Sequence, residues 1–163
     1  MVSSSSPWTV DCLISMPATP PTTAVIFDLG GVATNFHGIA LVVNTSNQFR
    51  FLWTNSVSGT YLADFSFGTI AANTFTLGSV EFIPSVGTHG TFYVYQDGVL
   101  LGSHALPSAG VSGDPANTAD IGAYYNTNGL NLGGYIGQMR FTAAARYGGA
   151  SFTPPSTYFP NHA

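Results

Sequence analysis

The acidic side chains are the groups in this sequence that could drive hydrolysis. The chain has six Asp and one Glu among 163 residues. A retaining glycosidase needs two carboxylates about 5–5.5 Å apart, one as nucleophile and one as acid. Glu81 has no acidic residue within ten positions on either side. Any catalytic pair must therefore be assembled by the fold from distant residues, and we expect a protein that is not an enzyme.

Histidine, cysteine and serine offer equally little for catalysis. Zinc sites usually show close ligand pairs such as H-E-x-x-H or C-x-x-C, and the sequence contains neither. Cys12 is the single cysteine, so a disulfide within the chain is excluded. No G-x-S-x-G motif singles out a nucleophile among the sixteen serines. We therefore assign no catalytic residue and no metal ligand.

Calcium is the one cofactor that the sequence leaves open. The loop from 113 to 120 supplies Asp114, Asn117 and Asp120, and calcium takes six to eight oxygen ligands from such side chains and from carbonyls. Asp and Asn are also ordinary turn residues. We expect no bound cofactor, with calcium at this loop as the alternative.

A sugar-binding surface is indicated by one short segment. Sugars stack their C–H faces on exposed aromatic rings, with amides and hydroxyls nearby. The segment 124–128 has this composition, and the predicted carbohydrate-binding residues are Tyr124, Tyr125, Asn126 and Asn128. Phe36-His37 and Trp53-Thr54-Asn55 are lesser candidates, and packing of these rings in the core is the alternative in each case.

Composition excludes several classes of protein. Only 6% of the residues are charged, whereas about 25% is usual in soluble domains. Disordered chains and coiled coils both need more charge than this. With three Arg, no Lys and a net charge of −4, no basic surface exists for nucleic acid. The uncharged stretch 29–49 contains too many Asn and Gly residues for membrane insertion. So low a fraction of charged residues indicates a surface that is partly covered by partner chains, and we expect a homo-oligomer.

Alternating polar and apolar residues predict an all-β fold. Trp8, Val10, Cys12, Ile14 and Met16 form one face of a first strand, which is the clearest case of period two. Asp97-Gly98 predicts a two-residue hairpin turn. The predicted strands are Trp8–Met16, Thr23–Leu29, Ile39–Val43, Phe49–Trp53, Tyr61–Phe67, Leu77–Ile83, Thr91–Gln96, Val99–Leu101, Ala119–Tyr125 and Tyr135–Thr142.

So many short strands between turn clusters predict an antiparallel, jelly-roll-like β-sandwich of two sheets. Residues 1–7 are expected to form a flexible segment before a single domain at 8–163. In the last strand, Tyr135, Gly137, Met139 and Phe141 are expected on one face. The run Thr142–Arg146 is compatible with a helical turn.

Several segments, taken in order, resemble one known family. Gly90–Ser103 resembles a "GtlyvYvnGvlvgs" hairpin, and Gly134–Thr142 resembles a "gyIdevRit" strand. The ending Ala145-Arg-Tyr147 with Phe152-Thr-Pro-Pro155 is similar to "aRYtgnFtPP". Trp8–Ile14 fits an opening "ftiEcwv" strand. The chain thus resembles the concanavalin A-like lectin/glucanase superfamily, in the laminin G-like branch found in bacteriophage virion proteins.

This resemblance implies a two-sheet sandwich and a set of functions. It implies a structural or adhesion domain on the virion surface, as a decoration, head-fibre or tail protein, with other virion proteins as partners and host glycans as ligands. Glucanases of this superfamily use a Glu-x-Asp-x-x-Glu set, and this sequence has none. The alternatives are a stand-alone carbohydrate-binding lectin module, a purely structural subunit and, more distantly, a glycoside hydrolase.

Deletion of residues 1–7 tests the predicted domain boundary. Because these residues precede the first strand, the shortened chain should give the same β-type circular dichroism as the full chain. Loss of that spectrum would show that the segment belongs to the folded domain.

Overall fold

The computed structural model describes residues 4–20, 22–29, 38–54, 61–85, 88–106, 119–122 and 131–155. Within these ranges the chain forms strands and connecting turns. The strands are β1 (Trp8–Ser15), β2 (Ala24–Leu29), β3 (Ile39–Val43), β4 (Phe49–Thr54), β5 (Tyr61–Phe67), β6 (Phe75–Ser85), β7 (Thr88–Gln96), β8 (Val99–Ala105), β9 (Ala119–Ile121) and β10 (Tyr135–Thr142). No helix of the described residues is long and apolar enough to cross a membrane.

The strands form two five-stranded antiparallel sheets. Sheet 1 has the order β10-β1-β6-β7-β8, and sheet 2 has the order β5-β4-β3-β2-β9. The first and last described strands are therefore neighbours in sheet 1, whereas the middle of the chain supplies most of sheet 2. This arrangement confirms the predicted two-sheet antiparallel sandwich.

The core between the sheets is rich in aromatic rings. Trp8 lies at its centre, with ring centroids 5.7 Å from Phe82, 6.0 Å from Trp53 and 6.1 Å from Phe92. These rings are at most 3% exposed. The predicted inner face of β1 is confirmed, since its five members are 0–3% exposed: Trp8, Val10, Cys12, Ile14 and Met16.

The turn between β7 and β8 has the predicted geometry. Asp97 and Gly98 have φ angles of 49° and 80°, and a type I′ turn requires positive φ at both central residues. Asp97 also accepts a hydrogen bond at Oδ1 from the backbone N–H of Leu77 (2.9 Å). The turn is thereby tied to the beginning of β6.

The side-chain orientation predicted for β10 is wrong at the beginning of the strand. The register between β1 and β10 skips Gly137, which makes a β-bulge. Because of this extra residue, Ile136 joins Met139 against the core, whereas Tyr135 points outward and is 71% exposed. Alternation alone cannot reveal such a bulge.

The helical turn compatible with Thr142–Arg146 is absent; these residues lead from β10 into a segment of bends and turns. This C-terminal strap, residues 143–155, runs over the outer face of sheet 1. The backbone N–H of Phe152 donates to the carbonyl of Gly98 (2.8 Å). Ser151 Oγ accepts from the backbone N–H of Leu100 (2.9 Å). The strap therefore reaches across the sheet to the β7–β8 hairpin.

Gly98→Ala tests the contact between the hairpin and the strap. A Cβ at Gly98 would collide with the carbonyl of Phe152, and a φ of 80° is unfavourable for alanine. We expect a loss of about 1–3 kcal/mol in the free energy of unfolding, measured by urea denaturation. Gly102→Ala is the matched control, because nothing lies within 4 Å of its added Cβ. Equal stability of the two variants would contradict this packing.

Candidate functional site

The sugar-binding residues predicted from the sequence lie outside the described residues. Tyr124, Tyr125, Asn126 and Asn128 all fall in 123–130, as Asp114 and Asn117 of the calcium prediction fall in 107–118. Of the lesser sugar-binding candidates, Phe36, His37 and Asn55 also lie outside, and Trp53 and Thr54 are fully buried. The candidate site therefore has to be built from other residues.

The fold brings two carboxylates together that are far apart in sequence. Thr9 of β1 pairs with Glu81 of β6, and Asp11 pairs with Ser79. Asp11 and Glu81 are therefore diagonal neighbours on the outer face of sheet 1, about 7–8 Å apart. Both residues are fully buried. Their surroundings decide whether they could act on a ligand.

Glu81 binds the strap. Its Oε1 accepts hydrogen bonds from the backbone N–H groups of Tyr147 (2.6 Å) and Gly148 (3.2 Å). Its Oε2 accepts from the N–H of Gly149 (3.0 Å) and from the hydroxyl of Tyr95 (2.9 Å). Three successive N–H groups thus form a concave nest around one carboxylate, the arrangement that proteins commonly use for anions.

Asp11 is engaged just as fully. Its Oδ1 accepts from the hydroxyls of Ser79 (2.8 Å) and Tyr147 (2.6 Å). Its Oδ2 accepts from Nε (3.0 Å) and Nη2 (2.7 Å) of Arg140. A buried carboxylate needs such partners to offset its lost hydration. Asp11 and Glu81 thus spend their hydrogen-bonding capacity on the strap and its surroundings.

The tyrosines of this network are held in the neutral form. Burial, together with the hydrogen bond to Asp11, raises the pKa of Tyr147 to about 12. Burial and the hydrogen bond to Glu81 raise the pKa of Tyr95 as well. The ring of Tyr147 also stacks on Phe152 of the same strap, with centroids 3.6 Å apart. Hydrogen bonds and ring stacking therefore act together on the strap.

Alkaline titration tests the Tyr147 contact. The phenol holds its proton more tightly in the folded chain (pKa about 12) than in the unfolded chain, where its pKa is about 10. Its contribution to stability is therefore complete below about pH 10 and is lost as the pH rises towards about 12. Urea midpoints measured across this range should fall less steeply for Tyr147→Phe than for the unchanged chain. Identical slopes would contradict the buried contact.

A second group of polar residues lies on the outer face of sheet 2. Arg50 of β4 pairs directly with Ser66 of β5, and Leu52 pairs with Asp64. A bulge in β5 places Tyr61 opposite Thr54, on the same face as Asp64. We call Asn44, Arg50, Tyr61, Asp64 and Ser66 the Asp64 patch.

An ion pair forms the centre of the Asp64 patch. Arg50 donates from Nε to Asp64 Oδ1 (2.7 Å) and from Nη2 to Oδ2 (2.6 Å). Both side chains are 33% exposed, so solvent or a ligand can reach them. The hydrogen bond to Asp64 raises the pKa of Arg50, and Tyr61 contributes in the same direction. The patch thus holds a fixed donor and acceptor beside an aromatic ring that is 43% exposed.

The β3–β4 turn adds an amide to the patch. Asn44 Nδ2 donates to Ser66 Oγ (3.0 Å), and Asn44 Oδ1 accepts from the backbone N–H groups of Ser46 (2.9 Å) and Gln48 (3.0 Å). Asn47 bonds in both directions with the backbone of Ile70. The turn is therefore fixed, and the amide and hydroxyl groups keep their positions.

Sequence reasoning missed the Asp64 patch, although a signal was available. Arg50 and Asp64 are the sole charged residues of the consecutive strands β4 and β5. In each strand the charge falls where the alternation places a residue on the outer face. Two adjacent strands with opposite charges on one face predict a cross-strand pair.

Of the three residues predicted to bind calcium, Asp120 alone lies within the described residues. Asp120 of β9 pairs with Asp28 of β2, so two acidic side chains lie opposite each other on the outer face of sheet 2. Among the described residues no group of three His, Cys, Asp or Glu side chains is arranged to hold a metal. Calcium binding at 113–120 stays a prediction.

The two-sheet arrangement is that of lectin-like β-sandwich domains. The family model of the concanavalin A-like lectin/glucanases superfamily matches residues 1–147, and the chain belongs to this superfamily as a laminin G-like domain. A search of curated protein sequences finds no match. The resemblance to the superfamily expected from the sequence is therefore confirmed.

Solved structures with the same fold include modules of carbohydrate-active proteins. The CBM40 module of a Ruminococcus gnavus IT-sialidase, bound to α2,3-sialyllactose, has a TM-score of 0.67 at 9% identity over 86% of this chain and 78% of that one. The NanB sialidase of Streptococcus pneumoniae has a TM-score of 0.64 at 13% identity. Mouse laminin α1 domains LG4-5 have a TM-score of 0.65 at 11% identity.

These similarities concern the fold, since all three identities are low. The chain aligns over 86% of its length with the sialidase but spans 22% of that protein. It aligns over 96% of its length with the laminin fragment and spans 40% of it. The fold thus occurs as one unit within longer proteins.

Proposed function

We propose that this chain is a non-catalytic carbohydrate-binding domain and that the Asp64 patch contacts the sugar. The observation that carries the proposal is the exposed ring of Tyr61 beside the half-buried Arg50–Asp64 pair. This combination of one aromatic surface and convergent polar groups is typical of ligand sites that orient a small molecule.

The chemistry of the patch suits a sugar ring. Each sugar hydroxyl both donates and accepts hydrogen bonds, as serine and threonine hydroxyls do. Asp64 keeps acceptor capacity beyond its two bonds to Arg50, and the guanidinium keeps further N–H donors. Of two neighbouring sugar hydroxyls, one could therefore bind Asp64 and the other Arg50. The ring of Tyr61 would cover the C–H face of the same sugar.

The comparisons support a carbohydrate ligand. The CBM40 module has the same sandwich fold and was solved with sialyllactose bound. At 9% identity this likeness concerns the fold, and function depends on the residues of the site rather than on the fold. The proposal for this chain therefore depends on the Asp64 patch, and the likeness raises its plausibility.

The non-catalytic part of the proposal depends on the buried carboxylates. Among the described residues the fold assembles two acidic pairs. Asp28 lies opposite Asp120, and Asp11 lies near Glu81, where each of these two accepts four hydrogen bonds from the chain itself. A glycosidase needs one carboxylate free to attack and one to donate a proton. The role of Asp11 and Glu81 is to hold the strap.

Location on a virion surface is a prediction that depends on sequence resemblance alone. The residues that carry this resemblance, Ala145–Tyr147 and Phe152–Pro155, lie in the strap. Tyr147 and Phe152 stack there on each other and make edge-to-face contacts with Tyr95. Such a motif serves the stability of the domain. We keep the virion-surface domain, with virion proteins as partners, as the second proposal.

Tyr61→Ala and Asp64→Asn test the proposed site. Each variant removes one contact to the sugar, so retention on a glycan array should fall at least about tenfold. The melting temperature should change little, because exposed ion pairs contribute about 0–1 kcal/mol. Tyr135→Ala is the matched control: this ring is 71% exposed but lies on sheet 1. Its glycan retention should equal that of the unchanged chain.

Two results would contradict the assignment. Unchanged retention by both site variants would exclude the Asp64 patch as the binding surface. Loss of retention in Tyr125→Ala with none in Tyr61→Ala would move the site to the segment 124–128. No retention of any glycan by the unchanged chain would favour a structural role, and light scattering would then be used to look for a stable oligomer.

A further inference from the structure

The arginines of the chain restrict the sugars that it can bind. The sequence has no Lys and three Arg, namely Arg50, Arg140 and Arg146. Recognition of a carboxylate, such as that of sialic acid, usually relies on a guanidinium that donates two parallel hydrogen bonds. The availability of these three side chains therefore bears on whether an acidic sugar can be bound.

Two of the three arginines already hold carboxylates of the chain. Arg50 gives both of its parallel hydrogen bonds to Asp64. Arg140 donates twice to Asp11, which is fully buried. Transfer of Arg140 to a ligand would leave a buried carboxylate without its counterion, and such a loss is strongly unfavourable. Arg140 is therefore not available to a ligand, and a ligand carboxylate could use the remaining N–H donors of Arg50 only by sharing its charge with Asp64.

The third arginine is on the other side of the sandwich. Arg146 belongs to the strap, and its backbone N–H donates to Thr9 Oγ1 (3.2 Å) on sheet 1. Its guanidinium lies 5.9 Å from the ring centre of Tyr147. The Asp64 patch is on the outer face of sheet 2, and packed sheets are about 10 Å apart. Arg146 therefore cannot contact a sugar held at Asp64.

Two further acidic residues lie on the same face of sheet 2 as the Asp64 patch, and one of them, Asp28, is fully buried. Asp64, Leu52, Ala40, Asp28 and Asp120 form one cross-strand row on the outer face of sheet 2. By strand spacing, Asp28 and Asp120 lie about 14 and 19 Å from Asp64. Charges at these distances are screened at about 0.15 M salt, where the Debye length is about 8 Å, but are felt at about 0.01 M, where it is about 30 Å.

We propose that the Asp64 patch selects uncharged sugars and discriminates against sialylated and other acidic glycans. This inference rests on the carbohydrate-binding function proposed above and names its ligand class. Arg50 and Asp64 together present a neutral donor and acceptor pair for hydroxyl groups. An added carboxylate would have to share the charge of Arg50 with Asp64 and would be repelled by that carboxylate. The other two arginines, Arg140 and Arg146, lie on sheet 1 and in the strap. In this respect the chain differs from the CBM40 module solved with sialyllactose.

A paired glycan array tests the ligand class. Each neutral glycan, lactose and N-acetyllactosamine among them, is printed beside its α2,3- and α2,6-sialylated forms and probed at about 0.15 M and about 0.01 M salt. Neutral glycans should be retained equally at both salt concentrations. Their sialylated partners should bind about tenfold more weakly, and this ratio should grow at low salt because repulsion is less screened.

The variant Arg146→Ala distinguishes the possible results of the paired glycan array. Sialylated glycans that bind as well as neutral ones, or better at low salt, would overturn the neutral-sugar inference while carbohydrate binding stands. If Arg146→Ala abolished that binding, the acidic sugar would be held on the strap. If neutral glycans bind preferentially, Arg146→Ala should leave their retention unchanged, which supports the inference. Absence of binding to any glycan would overturn the proposed function and this inference with it.

Discussion

The burial of two carboxylates beneath the C-terminal strap is the constraint on which the architecture depends. Asp11 and Glu81 are fully buried on what would otherwise be the open face of sheet 1. An unpaired buried charge is very unfavourable, so the strap has to supply partners. It does so through three successive backbone N–H groups and the hydroxyl of Tyr147. Because hydrogen bonds to charged groups contribute about 1.5–3 kcal/mol each, these contacts fix the strap in one position. The strap in turn closes over the β7–β8 hairpin.

This constraint also divides the two outer faces of the sandwich between stability and binding. The strap covers the outer face of sheet 1 around Asp11 and Glu81. The outer face of sheet 2 keeps a half-exposed ion pair, a hydroxyl, an amide and an exposed tyrosine ring. The outer face of sheet 1 therefore uses charge to hold the chain together. On the outer face of sheet 2 the Arg50–Asp64 pair is open to solvent, whereas Val25, Ala40, Val42 and Leu52 are buried. Carbohydrate binding at Asp64 follows from this division as the proposed function.

The sequence predicts the strands well and the site poorly, for physical reasons. The predicted strand Ile39–Val43 coincides with β3, because a short continuous apolar run is typical of a strand buried on both faces. The predicted strand Tyr61–Phe67 coincides with β5. The bulge at Gly137 escapes prediction, since an extra residue leaves no mark in the alternation. Asp11 and Glu81 come together because β1 and β6 are neighbours in sheet 1. The local sequence pattern does not specify which strands pair. The residues first proposed for sugar binding, Tyr124 to Asn128, lie outside the described part of the chain.

Binding of a sugar at the Asp64 patch is tested most directly by a map of ligand contacts on the folded chain. Backbone amide resonances recorded by NMR during titration with a retained neutral glycan would report which strands sense the sugar. Binding at the Asp64 patch predicts saturable shifts confined to β4, β5 and the β3–β4 turn, with the strap amides of Tyr147 to Gly149 unmoved. Shifts that centre on the strap, or that leave β4 and β5 unperturbed, would contradict the division of the two faces.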